Sequence, residues 1–130
     1  MILLDTHVVI WLLNSPELIS KPAAKAIAKS GAEGSRPGIS AASIFELAYA
    51  KKRGRIHLNV SDAVLLKRLR NWFDFYPITE MIALEAATMP DPFHGDPMDR
   101  IITATAIVEN CTLITHDERI RRANVCRTLW

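Results

Sequence analysis

The sequence predicts an α/β protein in which about five short parallel strands are sandwiched by helices. Short apolar runs alternate with helical patterns along the chain, which is typical of a parallel sheet covered on both faces. The first run, Ile2 to Leu4, is apolar at every position, as expected of a buried central strand. We expect one domain spanning residues 1–130, because 130 residues with 49% hydrophobic content can fill a single core.

In the first half of the chain, turn residues and helix caps predict the remaining elements. These are a helix over 8–13, a helix from the N-cap Ser20 to about Ser30, a strand near 38–40 and a helix over 41–53. The break after the first helix is Asn14-Ser15-Pro16, and Gly54 is a residue type that commonly follows a helix. A loop rich in Gly, Ser and Pro is predicted over 31–38.

The second half of the chain is predicted from the same signals. The elements are a helix from Ser61 to about Trp72, a strand over 75–78, a helix from Thr79 to about Thr88, a helix from Asp96 to about Glu109, a strand over 112–115, a helical turn over 117–122 and a strand over 125–129. Residues 89–95 are rich in turn-forming types and predict a loop.

Charge is unevenly distributed although the net charge is only +2. Residues 51–70 and 118–130 are basic, whereas residues 71–99 carry six acids and no Lys or Arg. Basic segments around an acidic cluster would suit the binding of a polyanion that approaches a metal, although charged runs are usually solvated helix faces.

Cys111 and Cys126 form no disulfide framework and suit a reducing compartment. No run reaches the ~20 apolar residues of a membrane span, so a cytoplasmic protein without a secretion signal is expected.

Four acids are predicted to lie at the mouths of successive strand–helix units. Asp5 ends the first strand, Glu46 lies early in a helix, Asp99 lies in the first turn of another helix, and Asp117 follows a later strand. In an open α/β sheet these places share one crevice. Carboxylates gathered there repel one another, and a bound divalent cation is the usual way such a cluster stays ionised.

Each of these acids, taken singly, also has a structural interpretation. Asp5 and Asp117 could cap the helices that follow them, and Asp99 suits the positive end of a helix. Glu46 fits a capping box, although Ser40 is an equally good cap that would leave Glu46 free. All four acids at successive strand–helix mouths are a far rarer coincidence than any one alone, which favours a shared site.

Four segments contain these acids in a characteristic order. They are Ile2-Leu3-Leu4-Asp5-Thr6-His7, Ser40-Ala41-Ala42-Ser43-Ile44-Phe45-Glu46-Leu47, His94-Gly95-Asp96-Pro97-Met98-Asp99-Arg100-Ile101-Ile102-Thr103-Ala104-Thr105-Ala106 and Leu113-Ile114-Thr115-His116-Asp117. This arrangement resembles the motifs of PIN-domain nucleases, most closely the VapC-type toxins of bacterial toxin–antitoxin systems. The resemblance covers essentially the whole chain. It implies Mg²⁺ or Mn²⁺ dependence, cleavage of RNA, homodimers and inhibition by a cognate antitoxin.

The resemblance also implies site residues. The four acidic positions of the family fall on Asp5, Glu46, Asp99 and Asp117, and Asp96 matches an extra acid that serves as ligand or cap. All-oxygen ligands suit a hard ion such as Mg²⁺, which takes only one or two carboxylates directly. We therefore expect Asp5 and Asp99 to bind the ion directly and the other acids to bind it directly or through water. Thr6 and Thr115 could hydrogen-bond the neighbouring carboxylates or merely finish strands.

Predicted contacts to substrate phosphates rest on basic residues near these acids. The candidates are Arg100, Lys51, Lys52 and Arg53, with Arg119, Arg121 and Arg122 as further ones. For each, plain solubility is the commoner role.

Histidines and aromatic residues receive supporting roles in this interpretation. His7, His94 and His116 lack the spacing of a zinc site, and we expect them to act at the surface or behind the metal ligands. Core or dimer contacts rather than base stacking are expected for Trp11, Trp72, Phe45 and Phe73.

Two other functions compete with the nuclease. The first is a catalytically silent RNA-binding or adaptor module, which the intact set of acids argues against. The second is a phosphatase with Asp5 as covalent nucleophile, which would want another acid at position 7, where the chain has His7.

Overall fold

A parallel sheet forms the centre of the protein, seen in a computed structural model that describes residues 1–90 and 96–130. In these residues its five strands are β1 (Ile2–Leu4), β2 (Gly38–Ser40), β3 (Asp74–Tyr76), β4 (Thr112–Ile114) and β5 (Thr128–Leu129). All strand pairings are parallel, and the order across the sheet is β3-β2-β1-β4-β5. The predicted fold class is therefore confirmed.

Helices connect the strands and cover both faces of the sheet. They are α1 (Thr6–Asn14), α2 (Lys21–Ala32), α3 (Ala41–Lys52), α4 (Asp62–Trp72), α5 (Glu80–Thr88), α6 (Pro97–Val108) and α7 (Glu118–Ala123). None of the helices in the described part of the chain is long and apolar enough to cross a membrane. Residues 91–95 of the predicted loop, with His94, lie outside the described residues.

The central strands are buried on both faces, which explains their uninterrupted apolar sequences. Leu3 and Leu113 are fully buried in the core shared with α5 and α6. Leu4, Ile39 and Ile114 are equally buried in the opposite core, shared with α1 and α4. Because neighbouring residues of a strand point to opposite faces, both layers of helices are attached to the same short strands.

Most of the helices begin with a side-chain cap at the residue that the sequence predicted. The acceptor oxygens and amide donors are Ser20 with Ala23 (3.3 Å), Ser40 with Ala42 (3.1 Å), Ser61 with Val64 (3.2 Å), Thr79 with Ile82 (3.3 Å) and Asp96 with Met98 (3.0 Å). Because Ser40 caps α3, the alternative capping box is wrong, and Glu46 is left free for another partner.

Several element boundaries differ from those predicted. The helix predicted to end near Ser30 continues to Ala32, into the predicted loop over 31–38, because Gly31 does not stop it. The helix predicted over 8–13 begins at Thr6, directly after its capping residue. The strand predicted over 75–78 ends before Pro77, which has no amide proton for the sheet. The strand predicted over 125–129 is reduced to β5, the two residues that pair with β4.

Gly38 allows β2 to pack closely against its neighbours. A β-carbon at this position would lie 2.3 Å from Tyr76 Cε2 and 3.3 Å from Leu3 Cδ1. The first separation is well inside van der Waals contact, so the Tyr76 ring would have to move. The absence of a side chain at position 38 is therefore a packing requirement of the sheet.

We expect Gly38→Ala to lower the unfolding free energy by about 1–3 kcal/mol, because the added methyl overpacks the β2–β3 contact. Gly31→Ala is the matched control, since a β-carbon at Gly31 meets no atom within 4 Å and alanine favours the helix. Chemical denaturation measures both variants. A second change, Tyr76→Leu, should restore part of the lost stability; no rescue would show that the clash lies elsewhere.

Candidate metal centre

Asp5 lies at the end of β1 with both carboxylate oxygens engaged. Its side chain is buried, with 3% of the residue exposed. Oδ1 accepts a hydrogen bond from the Thr6 amide at 2.7 Å, and Oδ2 accepts one from Thr115 Oγ1 at 2.7 Å. Burial raises the pKa of Asp5, and the hydrogen bond from Thr115 works in the opposite direction. Asp5 thus caps α1, as one interpretation predicted, while its orientation is set by β4.

Glu46 reaches the same edge of the sheet from the second turn of α3. Thr6 Oγ1 lies 2.6 Å from Glu46 Oε1 and 2.9 Å from Ser43 Oγ. Because a hydroxyl has one proton and the carboxylate is the stronger acceptor, Thr6 donates to Glu46. Burial raises the pKa of Glu46 above its usual value. The hydrogen bond from Thr6 lowers this pKa, and the charges of Asp5 and Asp96 raise it further.

Asp99 is the acid whose pKa is affected by all four of the other predicted acids. It lies in the first turn of α6 and is half-buried. Burial is the largest cause that raises its pKa to about 7, followed by the charges of the other acids. Those acids, in order of decreasing effect, are Asp96, Asp5, Glu46 and Asp117. The fold therefore brings the other four predicted acids within electrostatic reach of Asp99.

Asp117 is linked to Asp5 through Thr115. The Asp117 amide donates to Thr115 Oγ1 at 3.0 Å, and the same hydroxyl donates to Asp5. The Asp117 carboxylate caps α7 by accepting from the amides of Arg119 (2.8 Å) and Ile120 (3.4 Å). One threonine therefore sets the relative positions of two acids that are 112 residues apart in the sequence.

The donor set fits a hard divalent cation in its chemistry. All five side chains offer carboxylate oxygens, and the raised pKa of Asp99 reflects negative charge that a cation would neutralise. In the described residues, no three acidic, His or Cys side chains already stand assembled around one ion position. What joins the acids in this structure is their electrostatic effect on Asp99.

Most of the basic residues predicted to contact phosphate have protein partners. Arg100 Nη1 donates to the carbonyls of Ala86 (3.3 Å) and Met89 (3.1 Å) at the end of α5, and its predicted phosphate contact stays a prediction. Lys51 Nζ forms an ion pair with Asp62 at 2.9 Å.

The other basic candidates are spread over α3 and α7. Lys52 lines a groove of about 740 Å³ beside α3, and the Arg53 guanidinium lies 5.2 Å from the centre of the Tyr49 ring. On α7, Arg119 lies 3.5 Å from Asp117, and Arg122 lies 3.2 Å from Glu118. Arg121 is exposed.

Aromatic residues beside Asp117 are the part of the site that sequence reasoning missed. His7, Trp11 and His116 line a pocket of about 290 Å³ together with Asp117 and Glu118. The role expected for Trp11, a core or dimer contact, does not include a place in this pocket. Two signals could have revealed it: Trp11 stands four residues after His7 on one helix face, and His116 directly precedes an acid of the site.

The other aromatic expectations had mixed outcomes. Phe73 is buried with 4% exposure, as expected of a core residue. Phe45 and Trp72 are 57% and 62% exposed, so neither belongs to the core. Their expected alternative role in a dimer contact stays a prediction.

Comparisons with known proteins agree with this architecture. A family model described as the PIN domain matches residues 2–125. The chain is 36% identical over 131 residues to Ribonuclease VapC22 of Mycobacterium tuberculosis, a match that covers 99% of this chain and 98% of that protein.

Solved structures also resemble this fold over nearly the whole chain. VapBC2 of Rickettsia felis bound to a DNA fragment from its promoter aligns with a TM-score of 0.74 at 17% identity, covering 100% of this chain and 99% of that one. DNA-bound VapBC from Salmonella typhimurium aligns with a TM-score of 0.73 at 14% identity, covering 99% and 98%. At these identities the structural matches establish the fold alone.

The pKa of Asp99 predicts how stability depends on pH in the absence of divalent ions. The folded-state pKa of about 7 lies above the ordinary value of 3.8, so between these values the folded protein holds a proton that the unfolded chain releases. The unfolding free energy should therefore fall as pH rises from about 4 to 7. Asp99→Asn should reduce this slope, and thermal unfolding in EDTA measures it.

Glu33→Gln is the matched control, because Glu33 is exposed at the end of α2, away from the five acids in the sequence. This variant should keep the pH dependence of the wild type. An unchanged slope in Asp99→Asn would contradict the electrostatic coupling of the site.

Proposed function

The chain belongs to the PIN-domain family, and we propose that it is a divalent-metal-dependent endoribonuclease, the toxin of a toxin–antitoxin pair. The observation that carries this proposal is that the charges of Asp5, Glu46 and Asp117 all act on Asp99, although the four acids are far apart in the sequence. The relative named Ribonuclease VapC22 supports the activity, and the relatives solved as VapBC complexes support an antitoxin partner. A single nuclease domain over residues 1–130 is part of the proposal.

Asp5 and Asp99 are proposed as direct ligands of Mg²⁺ or Mn²⁺, with Glu46, Asp117 and Asp96 acting directly or through water. Such an ion would offset the negative charge facing the RNA, polarise a phosphoryl oxygen and lower the pKa of a bound water. A shared set of oxygen ligands without His or Cys favours these hard ions over zinc.

The chain's own residues hold the carboxylates in position for this chemistry. Thr115 fixes Oδ2 of Asp5, and Thr6 fixes Oε1 of Glu46. Turning either carboxylate away would break a short hydrogen bond to a buried hydroxyl, which limits the orientations that each acid can take. Ligand orientation of this kind is what partners behind the ligands provide in metal sites generally.

A homodimer and a cytoplasmic location complete the proposal. On α5, Met81 and Leu84 are 62% and 64% exposed, and Ile78 just before the helix is 45% exposed. An apolar surface of this kind suits a protein partner, either a second copy of the chain or the antitoxin. Cys111 and Cys126 are both free thiols, in keeping with a reducing compartment.

We expect Asp99→Asn and Asp5→Asn each to reduce RNA cleavage to the level of the wild type in EDTA, because each removes a negative ligand. Purified protein is incubated with total cellular RNA and Mg²⁺, and fragment ends are counted by sequencing. Asp62→Asn, outside the site, is the control and should cleave normally. Equal cleavage by the wild type with Mg²⁺ and with EDTA would reject the metal mechanism, and no cleavage in either would favour the silent RNA-binding module.

Thr115→Val should lower cleavage by roughly 10- to 100-fold, the usual effect of removing a partner behind a metal ligand. The matched control is Thr103→Val, because Thr103 is equally buried and its hydroxyl has no hydrogen-bond partner among the described residues. This control should keep activity and unfold no more easily, since it removes an unsatisfied polar group. Equal losses in the two variants would indicate general damage to the fold.

A further inference from the structure

The pocket lined by His7, Trp11 and His116 opens beside Asp117, and its rings are not among the proposed metal ligands. Asp117 and Glu118 form its remaining wall, and its volume is about 290 Å³. We propose that this pocket, which we call the aromatic pocket, receives one unpaired base of the RNA next to the phosphate that is cut. The proposal rests on the nuclease function and adds to it a contact of this chain's own: a base held by stacking on these rings.

The position of the aromatic pocket supports a nucleotide next to the cut. Asp117 belongs both to the pocket wall and to the acid cluster. On the other wall, His7 directly follows Thr6, whose hydroxyl holds Glu46. A strand whose phosphate lies at the acids would therefore place a neighbouring base within reach of the pocket.

The rings of the aromatic pocket are held rigidly before any ligand arrives. The Trp11 ring lies 5.5 Å from the His116 ring in an edge-to-face contact and 5.5 Å from the Trp130 ring. His116 and Trp130 are also in edge-to-face contact, at 5.2 Å. Trp130 thus contacts the rings of both Trp11 and His116. Flat rings fixed in this way lose little conformational freedom when a base stacks on them.

Basic side chains offset the acids in the wall of the aromatic pocket. Glu118 is paired with Arg122 at 3.2 Å, and Asp117 lies 3.5 Å from Arg119, so both acids of the pocket wall have basic neighbours. Arg121 adds a further exposed positive charge on α7. Aromatic rings next to basic side chains are the usual combination for binding unpaired strands, whose bases stack while their phosphates meet the cations.

The test uses Asp99→Asn protein, which does not cut RNA, and fluorescently labelled octamers measured by anisotropy in Mg²⁺. The probes are an adenosine octamer, a uridine octamer and an octamer of abasic ribose units with the same phosphates. In this background Trp11→Ala should weaken binding of the two base-containing octamers by about 10- to 100-fold, the usual effect of losing one stacked base. Binding of the abasic octamer should not change.

Two further variants separate stacking from damage to the fold. Trp11→Phe keeps an aromatic ring and should retain most of the affinity, whereas Trp72→Ala removes an exposed tryptophan of α4 and should change nothing. Thermal unfolding shows whether each variant is folded. Equal weakening of all three octamers, or no weakening of the base-containing ones, would overturn the stacking proposal. Absence of binding by every octamer, together with absence of cleavage by the wild type, would reject the nuclease itself.

Discussion

Mutual repulsion among clustered carboxylates is the constraint around which this edge of the sheet is built. Burial and the charges of four other acids together raise the pKa of Asp99 to about 7. The fold opposes this repulsion with two threonine hydroxyls and with the positive ends of three helices, α1, α6 and α7. A divalent cation would offset the repulsion that remains.

Capping and catalysis are not alternative explanations for these acids. Asp5, Asp96 and Asp117 each accept amide hydrogen bonds at the start of a helix, as a purely structural interpretation predicts. The same bonds fix the orientation of their carboxylates. A helix cap of this kind is compatible with the proposed role as a metal ligand, so evidence for a cap says little against that role.

The aromatic pocket extends the same principle from charge to shape. Its rings are positioned by contacts among segments that are distant in the sequence: α1, the residue before Asp117 and the C-terminal Trp130. In the proposed function, the acids would attract a cation to which a phosphate binds, and the neighbouring rings would offer a surface for a base. Together they describe a site suited to a flexible strand rather than to a stacked duplex.

The sequence by itself determined the fold class, the helix caps and the identity of the acids, because apolar periodicity, capping residues and strand ends are local signals. Tertiary structure decided what local signals do not contain. It joined Thr6 to Glu46 and Thr115 to Asp5, which are 40 and 110 residues apart, and it turned Arg100 toward α5. It also gathered Trp11, His116 and Trp130 into one cluster, because only the pairing of β1 with β4 and of β4 with β5 brings these segments side by side.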